Sequence, residues 1–189
     1  MGDQLKGKRV AILATDGFEQ AELLQPKEIL EDAGAETTVV SLKAGEIMGW
    51  NEKDWGRSVR VQKTLDECSP EDFDALLLPG GVMNPDKLRT DPRAVQFAKA
   101  FVTTGKPVGA ICHGPWLLAE ADVLDGRCVT SWPSLQTDLR NAGAEWVDEQ
   151  VVTDEGLVTS RKPDDIPAFA SKLIEEIKEG KHEAAASVR

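Results

Sequence analysis

Cysteine and histidine are scarce in this chain. Its 189 residues include three cysteines (Cys68, Cys112 and Cys128) and two histidines (His113 and His182). An odd, sparse cysteine count argues against a disulfide framework and favours a reducing compartment, so we expect a cytoplasmic protein. No Cys-x-x-Cys occurs and the histidines lie far apart, so we expect no metal site and no cofactor.

Positive charge and long apolar runs are also lacking. Lys plus Arg number 22 against 33 Asp plus Glu, which gives a formal net charge of −11. A chain this acidic repels a phosphate backbone, so nucleic acid is excluded as the main partner. No apolar run approaches the length of a membrane span, and the first nine residues do not resemble a signal peptide, so we expect no membrane partner. Hydrophobic residues make up 41% of the chain, enough for a folded core.

Short apolar runs alternate with helical patterns along the chain, which predicts an α/β protein with a mostly parallel sheet. The predicted strands are residues 9–14, 37–42, 73–78, 107–111, 127–130, 145–152 and 157–160. The predicted helices are residues 19–33, 92–102, 115–121 and 163–179. Residues 45–63 form a candidate hairpin. We expect a single domain over residues 1–180 and a flexible tail over 181–189, which places His182 outside the fold.

The sharpest feature is the segment from Ala110 to Gly114, at the end of a predicted buried strand. Small residues stand two before and two after Cys112, the spacing that a nucleophile elbow requires. Such an elbow holds its central residue at strained backbone angles, and a following helix lowers a thiol pKa. The alternative is a buried structural cysteine. His113 is either the base for Cys112 or a helix cap, and it is the one histidine left inside the predicted fold.

Four other candidate site residues follow predicted strands or the elbow. Glu19 is either an ordinary carboxylate at a helix start or a protonated group that donates a hydrogen bond to the Cys112 sulfur. Gly80 and Gly81 form either an ordinary turn or an oxyanion hole. Trp116 follows the elbow closely and is a candidate pocket wall, although tryptophans more often belong to cores or interfaces.

These motifs together resemble the PfpI family of cysteine peptidase-like and general stress proteins, in the class I glutamine-amidotransferase-like superfamily. The resemblance rests on residues 110–115, 16–19 and 78–81 and runs from about residue 9 to residue 179. It implies a flavodoxin-like three-layer sandwich, with helices on both faces of the sheet and a nucleophile elbow. It also implies a homodimer or hexamer.

The resemblance also assigns roles to individual residues. Cys112 would be the nucleophile, Glu19 the protonated partner of its sulfur and His113 the third member of the site. In the peptidase-like branch an acidic residue of a neighbouring subunit orients that histidine, and the matching position here is Asp86.

Two classes of function follow. The first is a stress-protective cysteine-dependent hydrolase or lyase, in which the Cys112 thiolate attacks a carbonyl carbon. Its substrate would be a small carbonyl compound, as in deglycase or glyoxalase activity, or a peptide. The alternative is a non-catalytic redox sensor or chaperone-like stress protein that uses oxidation of Cys112.

Overall fold

The structure, a computed structural model, describes residues 2–182. These residues form twelve strands and six α-helices. The strands are β1 (Arg9–Leu13), β2 (Phe18–Glu19), β3 (Glu36–Ser41), β4 (Gly45–Asn51), β5 (Asp54–Val61), β6 (Lys63–Thr64), β7 (Ala75–Leu78), β8 (Val108–Ile111), β9 (Cys128–Val129), β10 (Glu145–Trp146), β11 (Val151–Asp154) and β12 (Leu157–Ser160). The helices are α1 (Gln20–Asp32), α2 (Met83–Leu88), α3 (Pro92–Thr103), α4 (Pro115–Glu120), α5 (Gln136–Asn141) and α6 (Ile166–Glu179).

Seven strands form the central sheet, in the order β11-β12-β8-β7-β1-β3-β6. Every neighbouring pair is parallel except β11 with β12. Strand β1 shows why the sheet needs cover on both sides. Val10 and Ile12 pack into one core, whereas Ala11 and Leu13 pack into the other. A strand buried on both faces reads as one continuous apolar run.

The two cores lie on opposite faces of the sheet. Helices α1 and α6 bury Leu23, Leu30, Phe169 and Leu173 on one face. Helices α2 to α5 cover the other face. The predicted mostly parallel sheet with helices on both faces is therefore confirmed. The prediction did not include α2 and α5, which have six residues each and are too short to show a helical period.

Outside the sheet, β4 and β5 form the predicted antiparallel hairpin, and β2 pairs with β4. None of the helices described is long and apolar enough to cross a membrane.

The end of the chain differs from the expectation. His182 packs on the domain, because its backbone N–H donates a 2.9 Å hydrogen bond to the carbonyl of Gly105. The expectation that His182 lies outside the fold is therefore wrong. Most of the predicted tail, residues 183–189, lies outside the described residues, and the division at residue 180 stays a prediction.

Candidate active site

Cys112 occupies a sharp turn between β8 and α4. Its φ is 62°, in the left-handed region that non-glycine residues rarely adopt. The turn is held from both sides, since Cys112 N–H donates to the Ser160 carbonyl and Gly114 N–H donates to the Ile111 carbonyl, each at 2.9 Å. Backbone strain held in place by its surroundings is typical of functional sites. The geometry is that of a nucleophile elbow.

His113 lies directly beside the thiol. Its Nδ1 atom is 3.1 Å from the Sγ atom of Cys112. Two tryptophans flank the imidazole, Trp116 edge-on at 5.1 Å and Trp132 stacked at 6.1 Å between ring centroids. Burial lowers the pKa of His113, which favours the neutral ring. A neutral imidazole at this distance is able to take a proton from the thiol.

The carboxyl group beside Cys112 belongs to Glu22, not to Glu19. Glu22 is completely buried. Its Oε2 accepts a 2.9 Å hydrogen bond from the backbone N–H of Gly80, and the carboxyl group lies beside the Cys112 thiol. Glu19 precedes the first turn of α1 and remains partly exposed. The expectation that Glu19 partners the sulfur is therefore corrected: Glu22, less than one turn further along the helix, is the residue that faces Cys112.

Burial controls the electrostatics of this pair. It raises the pKa of Glu22 well above its ordinary value, and the nearby charge of Glu19 raises that pKa further. Burial also raises the pKa of the Cys112 thiol, with a further contribution from a Glu22 carboxylate. The backbone N–H groups of Gly81 and His113 oppose this shift but do not overcome it. Burial beside an acid therefore works against the lowering of the thiol pKa that the following helix was expected to cause.

The glycine loop after β7 provides fewer free donors than expected. The Gly80 N–H already donates a hydrogen bond to Glu22, so it is not free to donate one to an oxyanion. The N–H groups of Gly81 and His113 are the ones directed at the sulfur. Gly80 contributes instead by its lack of a side chain, since a Cβ there would lie 2.7 Å from the Cβ of Cys112. Of the N–H groups expected to stabilise an oxyanion, those of Gly81 and His113 therefore remain available, and that of Gly80 is already bonded to Glu22.

Asn84 fixes this loop. Its side chain is fully buried, and its Oδ1 accepts a 2.8 Å hydrogen bond from Thr15 N–H. Its Nδ2 donates to the carbonyls of Pro79 and Gly80 at 3.0 and 3.2 Å. One side chain therefore joins the loop that follows β1 to the loop that follows β7, and the latter borders the thiol.

The remaining predicted residues lie around the site. Trp116 forms one wall of His113, and its Nε1–H donates to Asp138 at 2.9 Å. Asp86 lies on α2 and is ion-paired with Arg89 at 3.2 Å, with 57% of its side chain exposed. The described contacts of the His113 ring within the chain do not include Asp86.

The spacing of residues along α1 could have indicated from the sequence that Glu22 is buried. Glu22, Pro26 and Leu30 are spaced by four residues and are all buried on one face of α1. A glutamate on an apolar stripe is costly unless it has a structural or chemical role. No such spacing indicated that Asn84 is buried, because it lies in a helix of six residues, which is too short to show a helical period.

Residues 8–176 match the model of the DJ-1/PfpI family. The chain belongs to this family. Over 164 residues it is 48% identical to General stress protein 18 of Bacillus subtilis, covering 86% of this chain and 94% of that protein. Over 168 residues it is 48% identical to Protein/nucleic acid deglycase 2 of Escherichia coli, covering 88% of this chain and 96% of that protein.

A solved structure of the DJ-1/PfpI family agrees. The chain superposes with a TM-score of 0.85 and 36% identity on a two-domain protein from Anabaena variabilis that contains DJ-1/ThiJ/PfpI-like and ferritin-like domains. The match covers 90% of this chain and 48% of that protein. The expected PfpI resemblance, the flavodoxin-like fold and a stress-protective family of cysteine enzymes are therefore confirmed.

Proposed function

We propose that this DJ-1/PfpI protein is a deglycase or glyoxalase-like enzyme that acts through Cys112 on small carbonyl compounds and their adducts. The observation that carries the proposal is the 3.1 Å contact between Cys112 Sγ and His113 Nδ1 on a strained elbow. The names of the two relatives, a general stress protein and a protein/nucleic acid deglycase, support it.

The first chemical step follows from this geometry. Because burial raises the pKa of Cys112, the thiol gives up its proton as it reacts rather than beforehand. His113 Nδ1 takes that proton while the Sγ–carbon bond forms and the carbonyl π pair becomes an alkoxide. The N–H groups of Gly81 and His113, which are directed at the sulfur, would stabilise the new oxyanion, and Glu22 would provide a neutral acid beside the sulfur.

The shape of the site favours a small substrate. Cys112 is 7% exposed, so a reacting carbon has to enter between the glycine loop and the aromatic wall formed by Trp116 and Trp132. An α-oxoaldehyde, or the small end of its adduct with a side chain, presents an unhindered carbonyl carbon to such a recessed sulfur. A peptide would have to present its backbone at the same recessed sulfur.

The proposal also includes assembly and location. We propose a homodimer or hexamer in the cytoplasm, in which Asp86 of one subunit approaches His113 of the next. The exposure of Asp86 leaves it accessible to a second subunit, and its ion pair with Arg89 places it on the same face as Trp116, because Arg89 lies over the Trp116 ring at 4.7 Å.

The test is a panel of substrates given to the wild-type protein. The panel contains free methylglyoxal, its adducts with N-acetylcysteine and N-acetylarginine, and an unmodified peptide, with the products followed by NMR. We expect loss of methylglyoxal or its adducts and an intact peptide. Adduct loss faster than spontaneous adduct dissociation identifies a deglycase, whereas loss limited to that rate identifies action on the free aldehyde. Hydrolysis of the peptide alone would contradict the proposal.

The same thiol supports a second candidate, redox sensing. A sulfinate at Cys112 would accept hydrogen bonds from the Gly81 N–H group and from the protonated Glu22 carboxyl group. Cys68 and Cys128 are more exposed than Cys112, so preferential oxidation of Cys112 would reflect its chemistry rather than access. Mass spectrometry after mild peroxide treatment tests this candidate, and earlier oxidation of Cys68 or Cys128 would contradict it.

A further inference from the structure

Helix α6 carries a buried glutamate far from Cys112. Glu176 lies on the apolar stripe of the helix, beside Leu173 and Ile177, and is 8% exposed. Its Oε2 is buried and has no partner in hydrogen-bond geometry among residues 2–182. A buried carboxylate is costly unless another group compensates it, so the group that lies against Oε2 decides its role.

A histidine is brought to this oxygen by the end of the helix. Gly180 has a φ of 93° and follows the last residue of α6, so the chain turns back there. His182 is then held by the hydrogen bond from its N–H to Gly105, and its ring lies against Gly156. Its Nε2 is 2.7 Å from Oε2 of Glu176, so the two buried atoms are in ion-pair contact, although this contact lacks hydrogen-bond geometry.

A third side chain with a possible metal-ligand atom lies beside Glu176 and His182. Glu179 is exposed at the last turn of α6, one turn after Glu176. One ligand atom from each of Glu176, Glu179 and His182 lies within 4.8 Å of the other two. The backbone contacts of His182 hold the donor set in place before any ligand arrives.

We propose that Glu176, Glu179 and His182 bind a divalent transition-metal cation of the zinc type. One imidazole nitrogen and two carboxylate oxygens form a donor set that Zn²⁺ accepts, and water can complete a tetrahedron. Two carboxylates balance the charge of the ion. Tetrahedral bonds of about 2.0–2.1 Å require ligand atoms about 3.3 Å apart, so a small rotation of Glu176 admits the ion. The proposal replaces the expectation that the chain has no metal site.

The position of the cluster indicates a structural role. Gly105 and Gly156 precede β8 and β12, so they lie at the amino ends of these strands, whereas Cys112 follows the carboxyl end of β8. A metal ion here would link the end of α6 to the turns at the amino ends of β8 and β12. It would stabilise the fold without touching the thiol.

The test is zinc binding by the full chain, measured by calorimetry and by the change in Tm on adding Zn²⁺ alone. The variants are His182→Ala, Glu176→Gln and Glu179→Gln. Glu175→Gln is the matched control, because Glu175 is exposed on the same helix and pairs with Lys172. Each measurement is repeated with Cys112→Ser, which removes the buried thiol as a competing ligand. Thermal unfolding without metal shows whether each variant folds.

We expect one Zn²⁺ per chain and a Tm that rises with it, unaffected by Cys112→Ser or Glu175→Gln. His182→Ala and Glu176→Gln should each weaken binding by about tenfold or more. If Glu176→Gln does not fold, His182→Ala and Glu179→Gln decide the outcome. Absence of zinc binding by the wild-type chain would mean that Glu176 and His182 form an ion pair only. Zinc binding that survives His182→Ala would place the ion elsewhere. Either result overturns the proposal.

Discussion

The backbone N–H of Gly80 donates a 2.9 Å hydrogen bond to Oε2 of Glu22, and this bond ties the loop after β7 to helix α1 beside the Cys112 thiol. The same bond occupies the Gly80 N–H and holds the Glu22 carboxyl group beside the sulfur. Glu22 is therefore the carboxyl group that lies beside the Cys112 thiol, and its burial can be tested through the pH dependence of folding.

Glu22→Gln should change how stability depends on pH. The folded chain binds the Glu22 proton more tightly than the unfolded chain, because burial raises the pKa of this group above its ordinary value of 4.5. The free energy of unfolding should therefore fall as pH rises above about 4.5, and Glu22→Gln should remove this loss. Urea unfolding over a pH series measures the effect.

The control for this series is Glu28→Gln, which removes an exposed carboxylate from the same helix. It should leave the pH dependence of the wild-type chain unchanged. Parallel pH curves for the wild-type chain and Glu22→Gln would show that Glu22 titrates alike in both states, and the assignment of a buried protonated acid would then be wrong.

His113 should set the acidic limb of the activity. Burial lowers its pKa from 6.5, so the neutral base persists below that pH. We expect kcat/KM to fall with a midpoint below pH 6.5, and His113→Gln to lose most activity together with that limb. A pH–rate profile of both proteins measures this. A midpoint above 6.5, or an unchanged limb in His113→Gln, would exclude His113 as the base.

Asn84→Asp keeps the shape of the side chain but replaces its donor group. The new carboxylate would face the carbonyls of Pro79 and Gly80, which now accept hydrogen bonds from Nδ2. We expect the free energy of unfolding to fall by about 1–3 kcal/mol and activity to decrease, because the glycine loop loses its anchor. Chemical denaturation and the turnover assay measure the two effects.

The matched control is Asn141→Asp, an exposed residue at the end of α5. It should change stability by less than about 0.5 kcal/mol. If Asn84→Asp behaves like this control, Asn84 does not hold the loop.

Asp86→Asn tests the proposed contact between subunits. Asp86 is exposed and paired with Arg89, so its substitution should alter stability by less than about 0.5 kcal/mol, while kcat falls. Activity per subunit of the wild-type protein should also fall on dilution, as the assembly dissociates. Asp164→Asn is the control, since it breaks a comparable surface ion pair with Lys162. Equal losses of activity and stability in Asp86→Asn would indicate a purely structural role.

Local patterns predicted the sheet, and they located Cys112 and His113. A parallel strand buried on both faces leaves a continuous apolar run, and an elbow imposes small residues at fixed spacing, so both are visible without tertiary contacts. The identity of the acid was not predicted correctly. Whether Glu19 or Glu22 faces the sulfur depends on where α1 begins and on which face of the helix meets the sheet, and these follow from packing.

The same limit applies to the other corrections. The Gly80 N–H donates to Glu22, a residue 58 positions away in the sequence, and this hydrogen bond forms only in the folded chain. His182 looked like part of a tail because its hydrogen bond to Gly105 and its contact with Glu176 form only in three dimensions. In both cases a glutamate on an apolar helical stripe, Glu22 or Glu176, was the feature that pattern analysis left unexplained.

We propose Cys112 as the nucleophile for carbonyl chemistry, and turnover by single cysteine variants tests this role directly. Loss of methylglyoxal or its adducts is followed for the wild-type chain and for Cys112→Ser, Cys68→Ser and Cys128→Ser, with folding checked by circular dichroism. We expect Cys112→Ser to fold and to lose activity by about 1000-fold or more, while the other two variants keep wild-type rates. Wild-type turnover by folded Cys112→Ser would contradict the account.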